Sequence, residues 1–388
     1  MAFFLFSKQI VDMVYQYQFL DYIMVGWVFV LLLYQVALVR PNFRTWFTGV
    51  DIIVFALIAV TTYGWIQDIS TYQTYFKWLS AFLIYFVGRI YYDRIKESYG
   101  ALTCSAYLIV YTNFLHRIVN YGFDLTKVIN ANGDYYYNDT DMAFAMVLAL
   151  IFIAMLAKNS IFKLITIFIV CPYMVLCSDA GIQKVLMFVI YAVIGIYIAE
   201  LIFRKRRISN LALTIVIIGI LSVVFIIYVP VFMQQNTEMV LSLFDIQFLN
   251  SDNMHVRYDS WREVMEEWIQ AEQVQKLFGM GLATGIPTYS LYIKIIYSIG
   301  YVGLALMVML IVSIIYYVVK VKDRKTFYLT VMLLVLLLGT GVTVNSMESV
   351  QMSWFPMLFA GMVVSSVSED GNCKKFRKGM INKAGGRK

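Results

Sequence analysis

Uninterrupted apolar runs recur along this chain, each of about 20 residues, the length of helix that crosses a bilayer's hydrocarbon core. A segment in lipid must satisfy its backbone N–H and C=O groups internally, which leaves helices or a closed barrel. The runs are continuous rather than alternating, so the chain is expected to be all-α, a polytopic integral membrane protein. Composition agrees: 61% of the 388 residues are hydrophobic and 14% charged, against roughly 45–50% and about 25% in soluble domains. Hydropathy places about eleven transmembrane helices (ten to twelve) near 20–39, 49–66, 76–92, 101–119, 142–157, 161–177, 185–203, 209–232, 289–319, 326–341 and 354–367. The first stretch, with Lys8, Asp12 and Asp21, reads as an amphipathic helix on the membrane surface, with a further span as the alternative.

Charge sets the orientation. Arg40 and Arg44, Arg94 and Lys96, Lys158 and Lys163, Arg204 to Arg207, Lys320 to Lys325 and the tail 368–388 fall in every second connection. Cytoplasmic connections are the ones that carry excess Lys and Arg, so all six are expected inside the cell. The net charge of +7 is therefore a topology signal and not a nucleic-acid footprint. Three polar segments then lie outside: Asn120 to Asp141, a large late loop at 233–288, and Thr343 to Ser353. A short turn, Ser178 to Lys184, joins the sixth and seventh spans. The chain reads as one multi-span domain, 1–388, without a soluble domain. "MAFFLFSKQIVDMVY" has neither a basic n-region nor a small-residue cleavage site, so no cleavable signal peptide is expected. Cys104, Cys171, Cys177 and Cys373 lack metal-ligand spacing.

The large loop holds the densest chemistry. Ser260-Trp-Arg-Glu263 fits a capping box. Trp261, Val264, Met265, Trp268 and Ile269 then recur at helical spacing. This predicts an amphipathic helix lying along the outer surface, its tryptophans in the interface. Arg257 precedes it by a turn, on the side where topology does not require a cation. Its guanidinium suits a phosphate or diphosphate, with an ion pair to Asp252 or Asp259 as the bland alternative. Arg262 suits an intrahelical ion pair. Arg117, beside His116, together with Lys184 and Lys294 are further outward cations, which either snorkel or join in binding a diphosphate.

Candidate bases are Asp179, Asp141, His255 and Glu348. His255 can also be a solvated loop residue, and Asp141 the N-cap of the fifth span. Asp139-Thr-Asp141 has the D-x-D spacing used by some metal-dependent glycosyltransferases, but is weak alone. "FGMGLATG" is a glycine turn too degenerate to count as a phosphate loop.

"RYDSWREVMEEWIQ…LFGMGLATG…TYSLYIKIIYSIGYVGL" resembles the signature of the bacterial O-antigen polymerase and ligase superfamily. That signature has Arg, Trp four residues on, a helix, a Phe-Gly-x-Gly turn, then a span opening with a polar pair and carrying a later glycine. Here these are Arg257, Trp261, Phe278, Gly279, Gly281, Tyr289-Ser290 and Gly300. "GDYYYNDTDMAFAMVLAL" is similar to the family's middle-span opening, and "LCSDAGIQKVL" to its Ser-Arg-x-Gly turn, with Asp179 in place of the Arg. The resemblance implies an inverting, metal-independent glycosyltransferase without cofactor. Its donor would be a glycan on undecaprenyl diphosphate and its acceptor a lipid-linked repeat unit. The setting would be the bacterial cytoplasmic membrane, beside a flippase and a chain-length regulator. Ligases of the superfamily carry His where this chain has Tyr289, which favours a polymerase. An O-antigen ligase and, from another class, a lipid-linked oligosaccharide flippase are the rival readings. A flippase predicts mid-span charges and internal repeats.

Overall fold

The computed structural model describes residues 1–14, 18–39, 47–123, 139–178, 180–205, 252–283, 285 and 287–385. Every regular element among them is helical. In chain order they are α1 (Ala2–Met13), α2 (Gln18–Val39), α3 (Gly49–Gln67), α4 (Tyr72–Ile90), α5 (Tyr92–Glu97), α6 (Tyr99–Tyr121), α7 (Asp139–Leu156), α8 (Ile161–Ile165), α9 (Cys171–Leu176), α10 (Gly181–Lys205), α11 (Asp252–Gln270), α12 (Gln273–Phe278), α13 (Leu291–Lys320), α14 (Arg324–Thr340) and α15 (Val350–Gly385). The expected eighth span, 209–232, and Asp179 lie outside the described residues.

Among the described residues, five helices are long and apolar enough to cross a membrane: α3, α7, the Gly181–Leu201 part of α10, α13, and the Val350–Ser368 part of α15. Phe19–Tyr34 and Ile161–Leu176 are apolar but shorter. The third and fourth expected spans coincide with α4 and α6, whose apolarity is diluted by inward Ser80, Arg89, Ser105, Asn113 and Arg117. Position in the bundle follows from burial. The apolar window of α15 is 89% buried, whereas those of α3, α10 and α13 are no more than 33% buried. α15 is therefore the central post, and the other three present Ile52, Ile66, Ile196, Val312 and Val319 outward.

α15 packs hardest on α4. The two backbones meet at Gly88 and Gly361, where an added methyl would strike Leu358 O and Tyr85 O respectively. Small residues permit this close approach, and packing of this kind drives helix association in lipid. Nearby polar groups are satisfied locally. The Asp51 carboxylate accepts from Arg89 Nε at 3.1 Å, Arg89 Nη2 at 2.9 Å and the Tyr85 hydroxyl at 2.8 Å. It also accepts from the Thr48 backbone N–H at 2.7 Å, capping α3.

α1 does not lie on a surface. It packs along α6 with Phe4, Leu5, Lys8, Gln9 and Asp12 buried. Its polar side chains face inward because partners wait there. Lys8 pairs with Asp12 and sits 4.9 Å from the Trp354 ring centroid. Gln351 Nε2 donates to Asp12 O at 2.8 Å, and Ser105 Oγ to Gln9 Oε1 at 2.7 Å.

A π-helical turn, Thr166–Val170, separates α8 from α9. Pro172, in the first turn of α9, has no N–H and interrupts the ladder. The Tyr191 hydroxyl of α10 satisfies the Ile167 carbonyl there, the kind of rescue a break at membrane depth needs.

The antiparallel succession gives the bundle two unlike ends. At one, Lys96 pairs with Asp323 at 3.0 Å, and Arg324 with Glu200 at 3.2 Å. The other gathers the first turns of α7, α10, α13 and α15, the last turns of α3, α6 and α14, and the helices α11 and α12.

Candidate functional site

The glycine turn before α13 builds the floor of this second end. Gly279 (φ +93°) and Gly300 (φ +64°) both adopt backbone that L side chains avoid. Gly300 breaks α13 after its first turns. The Gly279 backbone lodges against that break, with Met280 N–H donating to Tyr297 O at 2.8 Å. A Cβ on Gly300 would lie 2.6 Å from Gly279 N, and one on Gly281 would lie 3.3 Å from Gly64 O of α3. The Phe-Gly-x-Gly turn is thus a clasp joining α12, α13 and α3, which accounts for its glycines without a phosphate.

α11 lies across this floor. Val264 and Trp268 bury against Tyr297, and the Trp268 ring meets Tyr301 edge-on with centroids 4.9 Å apart. The Trp face expected in the lipid interface therefore packs on α13, while Trp261 is half-buried. Ser260 is not a cap: α11 begins at Asp252, and the Ser260 hydroxyl donates to Pro287 O instead. Arg257 consequently sits inside the helix rather than before it. Arg262 pairs with Glu266 at 2.7 Å on the solvent side, as expected for an i,i+4 pair.

Arg257 is half-buried. Its Nη1 donates to Thr343 O at 2.8 Å, and its guanidinium lies 5.8 Å from the Tyr289 ring centroid. Of its expected ion-pair partners, Asp259 is exposed and makes no described pair with it, and the side chain of Asp252 lies outside the described residues. Burial pushes its pKa down, partly offset by Tyr289. Tyr289, at φ 43°, is the one non-glycine residue among those described with a positive φ, and strain of that kind clusters at functional sites. One turn into α13, the Lys294 ammonium donates to Leu282 O at 2.8 Å and pairs with Glu348 at 3.2 Å. Lys294 is buried, while the Glu348 side chain is partly exposed. The α14–α15 turn is held over α13 by Leu291 N–H to Gly341 O at 2.8 Å.

A second group lies at the same end. Arg117 is buried in the last turns of α6, its Nε donating to the Tyr173 hydroxyl at 3.2 Å. Its guanidinium lies 5.5 Å from the Tyr121 centroid and 5.6 Å from that of Tyr173. Lys184, in the first turn of α10, is also buried, and both cations act on the Cys177 thiol between α9 and α10. Asp141 is buried within the first turn of α7, which starts at Asp139, so it is not the N-cap. His255 lies on α11 two residues before Arg257, and its side chain is outside the described residues.

Of the residues singled out from sequence, Arg257 meets Tyr289 and Lys294 meets Glu348, both contacts joining the opening of α13 to its neighbours at this end, while Arg117 and Lys184 form the second group. The Lys294–Glu348 pair was not foreseen. Its signal was a lysine one turn inside a span opening with Tyr-Ser, but its partner is 54 residues away. No family model and no curated protein matches this chain.

Proposed function

We propose that this chain is a polymerase of lipid-linked oligosaccharide repeat units for a bacterial surface polysaccharide. It has eleven spans in the cytoplasmic membrane, with α11, α12 and the loop 233–288 outside and the tail inside. The observation that carries the reading is that Arg257 with Tyr289, and Lys294 with Glu348, join the same two segments, the opening of α13 and the turn between α14 and α15: two cations and a partly exposed acid at one end of the bundle. A glycosyl diphosphate already has a good leaving group. The protein's task is to stabilise the departing charge, align two lipid substrates and take one proton.

In this reading Arg257 holds the diphosphate of the donor glycan, with Arg117 and Lys184 lining the approach. The acceptor hydroxyl attacks the anomeric carbon, the bond to the diphosphate oxygen breaks, and the hydroxyl proton passes to Glu348. Lys294 orients that carboxylate. Glu348 is taken as the base because it stands on the turn whose Thr343 carbonyl receives Arg257; Asp141 is the alternative acid, and Asp179 and the His255 side chain lie outside the described residues. The pathway's flippase and chain-length regulator are the expected partners, and no cofactor is required.

Purified full-length protein supplied with lipid-linked repeat units should give a ladder of products, and Arg257→Ala should abolish it. Transfer of preformed glycan to lipid A core without elongation would establish a ligase instead. Movement of the lipid between leaflets with no new glycosidic bond would establish a flippase.

A further inference from the structure

Buried polar groups without a protein partner are rare, and among the described residues one set of them lies beside the Arg257 contact. Gln183 is fully buried with both amide atoms unpartnered, and Thr340 is fully buried with its hydroxyl unpartnered. In the turn that follows α14, the Thr343 hydroxyl and both amide atoms of Asn345 are buried and unpartnered as well. The four residues belong to one region. Leu186 packs where Gly339 leaves room on α14, and α10 and α14 run antiparallel. Gln183, one turn nearer the start of α10 on the same buried face, is therefore level with the end of α14. Thr343 is also the residue whose carbonyl receives Arg257.

The chemistry of these groups selects the ligand. A primary amide offers two donors and an acceptor, and a threonine hydroxyl offers both roles. A phosphate only accepts, so it cannot match the amide oxygens of Gln183 and Asn345. A hydrocarbon chain matches neither role. Neighbouring hydroxyls on a sugar ring donate and accept at once, and the exposed ring of Tyr289 supplies an apolar face beside them. We infer that Gln183, Thr340, Thr343 and Asn345 form a carbohydrate subsite that reads ring hydroxyls of the substrate next to the Arg257 diphosphate contact. This rests on the polymerase reading and adds to it the residues that select the sugar. Sites built to hydrogen-bond a hydroxyl discriminate strongly against groups that leave them unmatched.

The test uses full-length protein, undecaprenyl diphosphate as one probe and the lipid-linked repeat unit as the other. The variants are Gln183→Leu and Asn345→Leu, with the isosteric Gln183→Glu and Asn345→Asp for any leucine variant that does not fold. The expected result is a KM for the repeat unit raised about tenfold or more, with kcat and the affinity for undecaprenyl diphosphate within about threefold of wild type. An unchanged KM in folded variants of an active enzyme overturns the subsite and leaves the polymerase standing. A kcat and melting temperature that fall together at constant KM overturn it also, because that is a structural role. A wild-type chain that neither elongates nor binds undecaprenyl diphosphate overturns the polymerase reading, and the subsite with it.

Discussion

Glu348 is held by Lys294, a lysine whose other contact is the Leu282 carbonyl. Changing Glu348→Gln keeps the shape and removes the proton acceptor. Elongation should fall by about 100- to 10,000-fold, the range for loss of a general base, while undecaprenyl diphosphate still binds. A variant that elongates normally would reassign the base to another acid. Arg257 itself stood out in the sequence, because it lies apart from the six clusters of Lys and Arg between the apolar runs. Its setting did not. Thr343 and Tyr289 reach it only after two turns fold back over α13, and no local spacing encodes that. Ser260 misled for a related reason: its hydroxyl suits a cap, yet a carbonyl 27 residues downstream claims it.

Among elements, the clasp between α12 and α13 depends on Gly300. Gly300→Ala places a Cβ against Gly279 N and Leu277 O at a φ that alanine avoids. It should destabilise the protein by about 1–3 kcal/mol, read as a lower melting temperature and faster amide exchange across 273–283. At the opposite end the Lys96–Asp323 pair makes stability depend on pH. Burial raises the Asp323 pKa, but hydrogen bonds from Lys96 and Thr326 outweigh it and hold the group below its usual 3.8. A depressed carboxylate contributes stability above its unfolded pKa and loses it as pH falls through the folded value. The melting temperature should therefore drop below about pH 4. Asp323→Asn should flatten that dependence, because asparagine still caps α14 where Asp323 accepts from Lys325 N–H. An unflattened acid limb would put the titration elsewhere. The helices at this level were legible from hydropathy, but α1 was not placed, since Lys8, Gln9 and Asp12 read as a wet face until their buried partners are known.

For the whole molecule, one contact organises the bundle. Gly361→Leu would drive a side chain into Tyr85 O and Arg89 N, at a loss of about 3 kcal/mol or more. The expected readout is a missing monodisperse species in detergent. Gly26→Leu, where nothing lies within 4 Å, should be silent. Continuous apolar runs announced an all-helical membrane protein because helix formation in lipid is obligatory. Which run is central could not be read from hydropathy, since Val350–Ser368 is no more apolar than its neighbours and is nonetheless the most enclosed.

The burial of α1 also sets an order of events during synthesis. Lys8 and Asp12 are made about 340 residues before Gln351 and Trp354, which receive them. At about 5–20 residues per second, a ribosome leaves between about 20 and 70 seconds between the two. Throughout that interval the leading helix carries an ion pair and a glutamine with no finished pocket to enter. Closure around α1 therefore waits for α15, and a chain stalled before residue 350 should expose α1 to proteolysis that the folded protein resists.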